Sequence, residues 1–324
     1  MNRAFAAVLP LTFLVSATAC DDDTPIDETP SIVELASETP ALSTLVAAVQ
    51  FASDNNDLVN LLSNPGTLTV FAPDNAAFDA LAVELTGSAS AKGADLLTEA
   101  NKPLLRAVLQ YHVLTSEVAA SGIPFGRQIT SAEGSIFKID MGSPPTIIDG
   151  RNRMSKITAT DLDASNGVVH LIDKVILPAD KNIVETAVAL AGGAQPEFTL
   201  LVEAVLAADL ADTLSGDGPF TVFAPTDAAF AAALTELQLT KQQLFSNTAL
   251  LTAVLTYHVV PARVFKAEVP VGTAIETAMG GTFTIDSTFK ITDGRNRSAQ
   301  IVTTDVMSEN GVIHVIDKVI LPAP

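Results

Sequence analysis

The chain repeats itself at domain length. Thr69-Val-Phe-Ala-Pro-Asp-Asn-Ala-Ala-Phe78 returns as Thr221-Val-Phe-Ala-Pro-Thr-Asp-Ala-Ala-Phe230, and Tyr111-His112 returns as Tyr257-His258. Asn166-Gly-Val-Val-His-Leu-Ile-Asp-Lys-Val-Ile-Leu-Pro-Ala179 returns as Asn310-Gly-Val-Ile-His-Val-Ile-Asp-Lys-Val-Ile-Leu-Pro-Ala323. The blocks keep their order, with an offset that drifts from about 152 to about 144 residues. That period is far above the 20 to 50 residues of solenoid units, so each copy needs its own core. Two tandem domains are expected, at residues 32–178 and 181–324, and 324 residues that are 48% hydrophobic supply apolar side chains for both.

Within each copy the order is helices first, strands second. Leu42, Leu45, Val49 and Ala52 recur three and four apart, as one helix face requires, and Leu200, Leu201, Val205 and Leu206 are read as the matching face. A short apolar strand follows at Leu68–Ala72 or Phe220–Ala224, closed by Pro73 or Pro225, with Asp74 or Thr226 placed to cap the next helix. The copies then diverge. Gly87 to Lys102 reads as a loose loop, and its counterpart Leu239–Phe245 as a compact helix capped by Thr240. Ile136-Phe-Lys-Ile-Asp-Met141 and Thr282-Phe-Thr-Ile-Asp286 alternate as half-buried strands do. Asn166-Gly167 and Asn310-Gly311 read as hairpin turns in which both residues accept positive φ. The strand after each, apolar on both faces, belongs inside a sheet. The class is therefore α+β.

The N-terminus has the parts of an export signal. Arg3 precedes an apolar stretch from Ala4 to Val15, too short for a standard membrane-spanning helix, and small residues 17–19 lead to Cys20. Cys20 is the only cysteine, so no disulfide can form within the chain. Residues 1–19 resemble a bacterial lipoprotein signal, although Ala17 stands where that pattern prefers leucine; the resemblance implies that Cys20 is lipidated. The alternative is an ordinary cleaved signal with an incidental cysteine. Residues 20–31, acidic and proline-containing, read as a tether.

Net charge is -19, with acidic residues spread through both copies, so nucleic-acid backbones are repelled and DNA or RNA binding is not expected. No cofactor is expected either. Four histidines, His112, His170, His258 and His314, fall two per copy without the short spacings of a metal site. Asp173 lies three residues after His170 on a strand, on the opposite face. No serine sits in a Gly-x-Ser-x-Gly elbow, and no phosphate-cradling loop occurs. The chain is not expected to be an enzyme.

Thr-Val-Phe-Ala-Pro with Ala-Ala-Phe, then Tyr-His among aliphatics, then Asn-Gly-Val-Val/Ile-His with Ile-Asp-Lys-Val-Ile-Leu-Pro: in this order, twice, they resemble the fasciclin domain over about nine-tenths of the chain. The resemblance implies two β-sheet wedges decorated by N-terminal helices. It also implies a role in cell adhesion or matrix contact, here as an exported, lipid-anchored module of the bacterial cell envelope. The implied partner is a cell-surface or matrix protein or polysaccharide, with membrane contact through the anchor only. It carries partner binding onto Leu109, Tyr111, His112, Val113 and Leu114, and onto Leu255, Tyr257, His258, Val259 and Val260. The residues themselves also allow a buried, hydrogen-bonded anchor between helix and strand. A second contact candidate is the turn Asp149-Gly-Arg-Asn-Arg153, repeated at Asp293–Arg297, where Arg151, Arg153, Arg295 and Arg297 suit carboxylates of a partner. It also reads as a plain turn. A carrier of an apolar ligand, a pigment or lipid, is the alternative function.

Overall fold

The structure, a computed structural model, describes residues 29–193 and 197–324; the signal segment, Cys20 and most of the acidic tether lie outside the described residues. Domain 1 begins with helices α1 (Ile32–Glu38), α2 (Ser43–Ala52) and α3 (Asp57–Ser63). Strand β1 (Leu68–Pro73), helices α4 (Asn75–Thr86) and α5 (Lys102–Tyr111) and strands β2 (Val113–Leu114), β3 (Ile129–Thr130), β4 (Ile136–Asp140), β5 (Thr146–Ile148), β6 (Met154–Ala164) and β7 (Gly167–Ile172) follow. Domain 2 repeats the plan. Its helices are α6 (Ile183–Ala191), α7 (Thr199–Ala207), α8 (Ala211–Leu214), α9 (Asp227–Glu236), α10 (Lys241–Ser246) and α11 (Thr248–Tyr257). Its strands are β8 (Phe220–Pro225), β9 (Val259–Val260), β10 (Ala274–Glu276), β11 (Thr282–Ile285), β12 (Lys290–Thr292), β13 (Ser298–Ser308) and β14 (Gly311–Ile316).

Each domain has one seven-stranded sheet, ordered β2-β1-β7-β6-β5-β4-β3 in the first and β9-β8-β14-β13-β12-β11-β10 in the second. All neighbours are antiparallel except β1 with β7 and β8 with β14, where the first strand of the domain runs parallel to the last. Those central strands are covered on both faces. Val70 and Ala72 point into a core shared with the helices, while Phe71 points into a second core with Tyr111, Phe137, Ile147 and Ile172. Alternation along one strand thus feeds two cores, which is why β1 is buried at every position.

Local expectations meet tertiary packing with three corrections. Asp74 and Thr226 do cap α4 and α9, accepting from the Ala77 and Ala229 amides at 2.7 and 3.1 Å. On α7, however, the buried stripe is Leu201, Ala204 and Val205, and Leu206 is 62% exposed, because a step of five residues from Leu201 rotates it off the core face. The segment after Gly87 is pinned, not loose. Ala91 and Leu96 are buried, the Gly93 amide donates to Asp79 at 2.7 Å, and a Cβ on Gly93 would fall 2.7 Å from that of Phe78. The hairpin asparagines are not left-handed residues. Gly167 carries the positive φ, 150°, and must be glycine because a Cβ would lie 2.0 Å from the Leu68 carbonyl oxygen. Asn166 works through its side chain instead: its amide donates to Leu62 O and Asn64 O, and its Oδ1 accepts from the Ile32 amide at 2.9 Å. Asn310 repeats this clasp with Leu214, Gly216 and Ile183.

The domains dock on each other. Lys138, which strand alternation would place in solvent, is buried under domain 2, where its Nζ lies 2.9 Å from Asp305 Oδ2. Asn152 pairs with the Met307 backbone through both amide atoms, at 2.6 and 2.9 Å. Ile136, Phe265 and Met307 close an apolar cluster between the domains.

Candidate functional site

The Tyr-His segment and the Asp-Gly-Arg-Asn-Arg turn form one construction. At the end of α5, Tyr111 donates through its hydroxyl to the Ile136 carbonyl at 2.6 Å and accepts from the Gly150 amide at 2.8 Å. Gly150 is obligatory there, since a Cβ would lie 2.2 Å from the Ala179 nitrogen. Next to it, the buried carboxylate of Asp149 accepts from the amides of Arg151, Arg153 and Leu177 and from Arg153 Nε. His112 closes the ring. Its Nδ1 meets the Val108 carbonyl at 2.6 Å, so Nδ1 carries the proton, and Nε2 accepts from the Ile176 amide at 3.1 Å.

Domain 2 builds the same ring from Tyr257, Gly294, Asp293, His258, Ile320 and Leu321. The outcome is a clasp that holds the segment leaving the last strand against the C-terminal end of the helix. Burial pushes His112 and His258 down to about 4, so both rings are neutral at physiological pH. Burial, and then the Asp149 charge, raises Tyr111 well above its ordinary value. The hydroxyl stays protonated.

The other two histidines have a different role. His170 Nδ1 accepts from the Asp161 amide and Nε2 meets the Val118 carbonyl; His314 does the same with Asp305 and Val264. Each thereby holds a bulge in the long strand, where Asp161 and Asp305 adopt φ of 56° and 60°. Among the described residues no three metal-ligating side chains come together.

Every candidate of the Tyr-His set is inside the protein. Leu109, Tyr111, His112, Val113 and Leu114 are all buried, as are Leu255, Tyr257, His258, Val259 and Val260. A partner cannot touch them while the domain is closed. The turn arginines face inward more than a solvated turn would have them. Arg153 reaches Asp149, Glu84 and the Val175 carbonyl, Arg151 reaches Asp180 and the Pro178 carbonyl, and Arg297 reaches Glu236 and the Val319 carbonyl. Arg295 donates to the Pro322 carbonyl and is the exposed member of the set.

The fasciclin domain model matches residues 40–178 and again residues 196–322. The chain belongs to the fasciclin domain family. Protein sll1483 of Synechocystis is 43% identical over 46% of this chain and 79% of its own length. Transforming growth factor-beta-induced protein ig-h3 of Sus scrofa is 30% identical over 81% of this chain and 35% of its own, so the chain spans about a third of that relative. Immunogenic protein MPB70 of Mycobacterium bovis is 36% identical over 42% of this chain and 68% of its own. A solved FAS1 domain pair from the insect cell adhesion molecule fasciclin I covers 88% of this chain at 17% identity, with a TM-score of 0.41.

Both fasciclin domains also carry an apolar pocket between the first helices and the sheet. In domain 1 it has an empty volume of about 880 Å³ that opens to solvent, with Val33, Val49, Leu58 and Val70 among its walls. The domain 2 counterpart, of about 530 Å³, includes Val188, Phe198 and Val222. The sequence reading missed this pocket, the asparagine clasp and the Lys138–Asp305 contact. Only the repeated Asn-Gly offered a signal for any of them.

Proposed function

We propose that this chain is an exported, non-enzymatic adhesion module, lipid-anchored through Cys20 in a bacterial cell envelope, where it binds a cell-surface or matrix protein or polysaccharide. One observation carries the non-enzymatic part: the repeated polar groups are spent on internal hydrogen bonds. His112, His170, His258 and His314 each use both ring nitrogens on backbone groups, so none is free to act as a base. The adhesion part rests on family membership, and the anchor on the Cys20 signal. The net charge of -19 argues against nucleic acid as the partner.

Burial of the Tyr-His residues gives them a positioning part in binding, and direct contact narrows to the turn, with Arg295 as its exposed arginine. Labelled fatty acid should enter the intact protein and not Cys20→Ala. Pull-down from envelope and matrix extracts should return a partner, and soluble protein should compete with cells for attachment. Normal attachment after gene deletion, together with an empty pull-down, would sink the adhesion reading.

The paired apolar pockets favour one alternative, an apolar-ligand carrier. Extra extractable mass or absorbance in purified protein is its signature.

A further inference from the structure

The two apolar pockets are not equivalent. That of domain 1 is bounded by α1, α2 and α3 over the central strands, and Val33, Leu35 and Val59 on its walls keep part of their surface open to solvent. No charged side chain lines it. Four polar residues do, and two are already committed: Thr39 Oγ1 donates to the Leu35 carbonyl at 2.7 Å, and His112 uses both ring nitrogens on backbone groups. Gln50 and Gln110 remain. Neither carboxamide forms a hydrogen bond among the described residues.

Domain 2 lacks this pair. Val46, Val49 and Gln50 line the first pocket as Val202, Val205 and Leu206 line the second, so Leu206 takes the place of Gln50. Gln110 precedes Tyr111-His112 as Thr256 precedes Tyr257-His258. Thr256 is not part of the second pocket's lining, and its hydroxyl donates to the Thr252 carbonyl at 2.7 Å. The walls of the second pocket are apolar throughout.

The chemistry of the lining selects a ligand. An ionised head group would be stripped of water against aliphatic walls that hold no counter-charge, and a net charge of -19 also repels anions at the mouth. A carboxamide offers both a donor and an acceptor, which suits a hydroxyl or a carbonyl. We propose that domain 1 binds a neutral amphiphile, one alkyl chain lying on the aliphatic walls with its hydroxyl or carbonyl end held by Gln50 and Gln110. This rests on the apolar-ligand reading and narrows it to one domain and to uncharged ligands.

N-Phenyl-1-naphthylamine, a neutral dye that fluoresces in apolar surroundings, is titrated into the full chain in about 0.5 M salt, which screens the net charge, and is then displaced. 1-Decanol should displace it at least about tenfold more effectively than decanoate or decylammonium. Gln50→Ala with Gln110→Ala should weaken decanol at least about fivefold while the dye binds as before. Val59→Phe, which fills the pocket from a half-buried wall, should remove the decanol-sensitive dye signal, and Val202→Phe in domain 2 should keep it. Dye that yields equally to decanol and to either ion, or a double variant that holds decanol unchanged, overturns the proposal and leaves the apolar-ligand reading standing. Absence of saturable dye binding overturns both. Should Val59→Phe fail to fold, the three displacing probes on the unaltered chain still decide.

Discussion

The Tyr111 hydroxyl accepts from the Gly150 amide at 2.8 Å, joining the end of α5 to a turn 39 positions along the chain. Two motifs that look separate in sequence are thereby parts of one clasp, and Tyr257 with Gly294 repeats it at 2.8 Å. Binding defects from substitutions in the Tyr-His segment therefore pass through the fold before they reach a partner.

Tyr111→Phe removes both hydroxyl bonds and leaves the Ile136 carbonyl and Gly150 amide without partners. A loss of about 2 kcal/mol from domain 1 is expected, and the same from domain 2 for Tyr257→Phe. Denaturant unfolding checks this; an unshifted midpoint would contradict the clasp.

Stability should depend on pH through His112 and His258. Both have folded pKa values of about 4, below the ordinary 6.5. The unfolded chain then binds more protons than the folded one between these values, so stability is full above about pH 6.5 and falls as the pH drops toward 4. The loss reaches about 3 kcal/mol per histidine. Urea midpoints across this window, with imidazole resonances followed by NMR, measure it. Rings that titrate near 6.5 in the folded protein would show that the burial argument is wrong.

Asn166→Ala deletes three bonds that tie the hairpin to α1, to the last turn of α3 and to Asn64 just after it. It strands at least one buried carbonyl. Domain 1 should lose about 3 kcal/mol, and Asn310→Ala should do the same to domain 2. Hydrogen exchange at the Ile32 and Ile183 amides reports the two clasps separately.

Lys138→Ala leaves Asp305 buried without its cation, at a cost of about 3–5 kcal/mol, most of which the domains avoid by separating. Calorimetry should resolve two transitions in the variant and scattering should show a larger radius, with both domains still folded. A single unaltered transition would mean that Ile136, Phe265 and Met307 suffice to hold the junction.

Much of the fold was legible because its signals are local. Asp74 and Thr226 cap helices wherever a proline-terminated strand precedes them, and Leu45 with Val49 marks a helix face by spacing alone. The candidate site was less legible. Arg153 and Tyr111 were found as residues, but their direction was not, since nothing between residues 111 and 149 says that Gly150 will come to the tyrosine hydroxyl. Lys138 shows the same limit from the other side: alternation along β4 assigns it to solvent, and a second domain takes that solvent away.

By itself, the sequence determined that there are two domains of α+β class and the family to which they belong, because repetition, periodicity and caps are read from residues in order. Only the tertiary structure decided that the first strand pairs with the last, that the repeated polar motifs face inward, and that Lys138 is buried against Asp305 at the junction. Those outcomes depend on which distant groups desolvate one another, a property of residues brought together and not of residues in order.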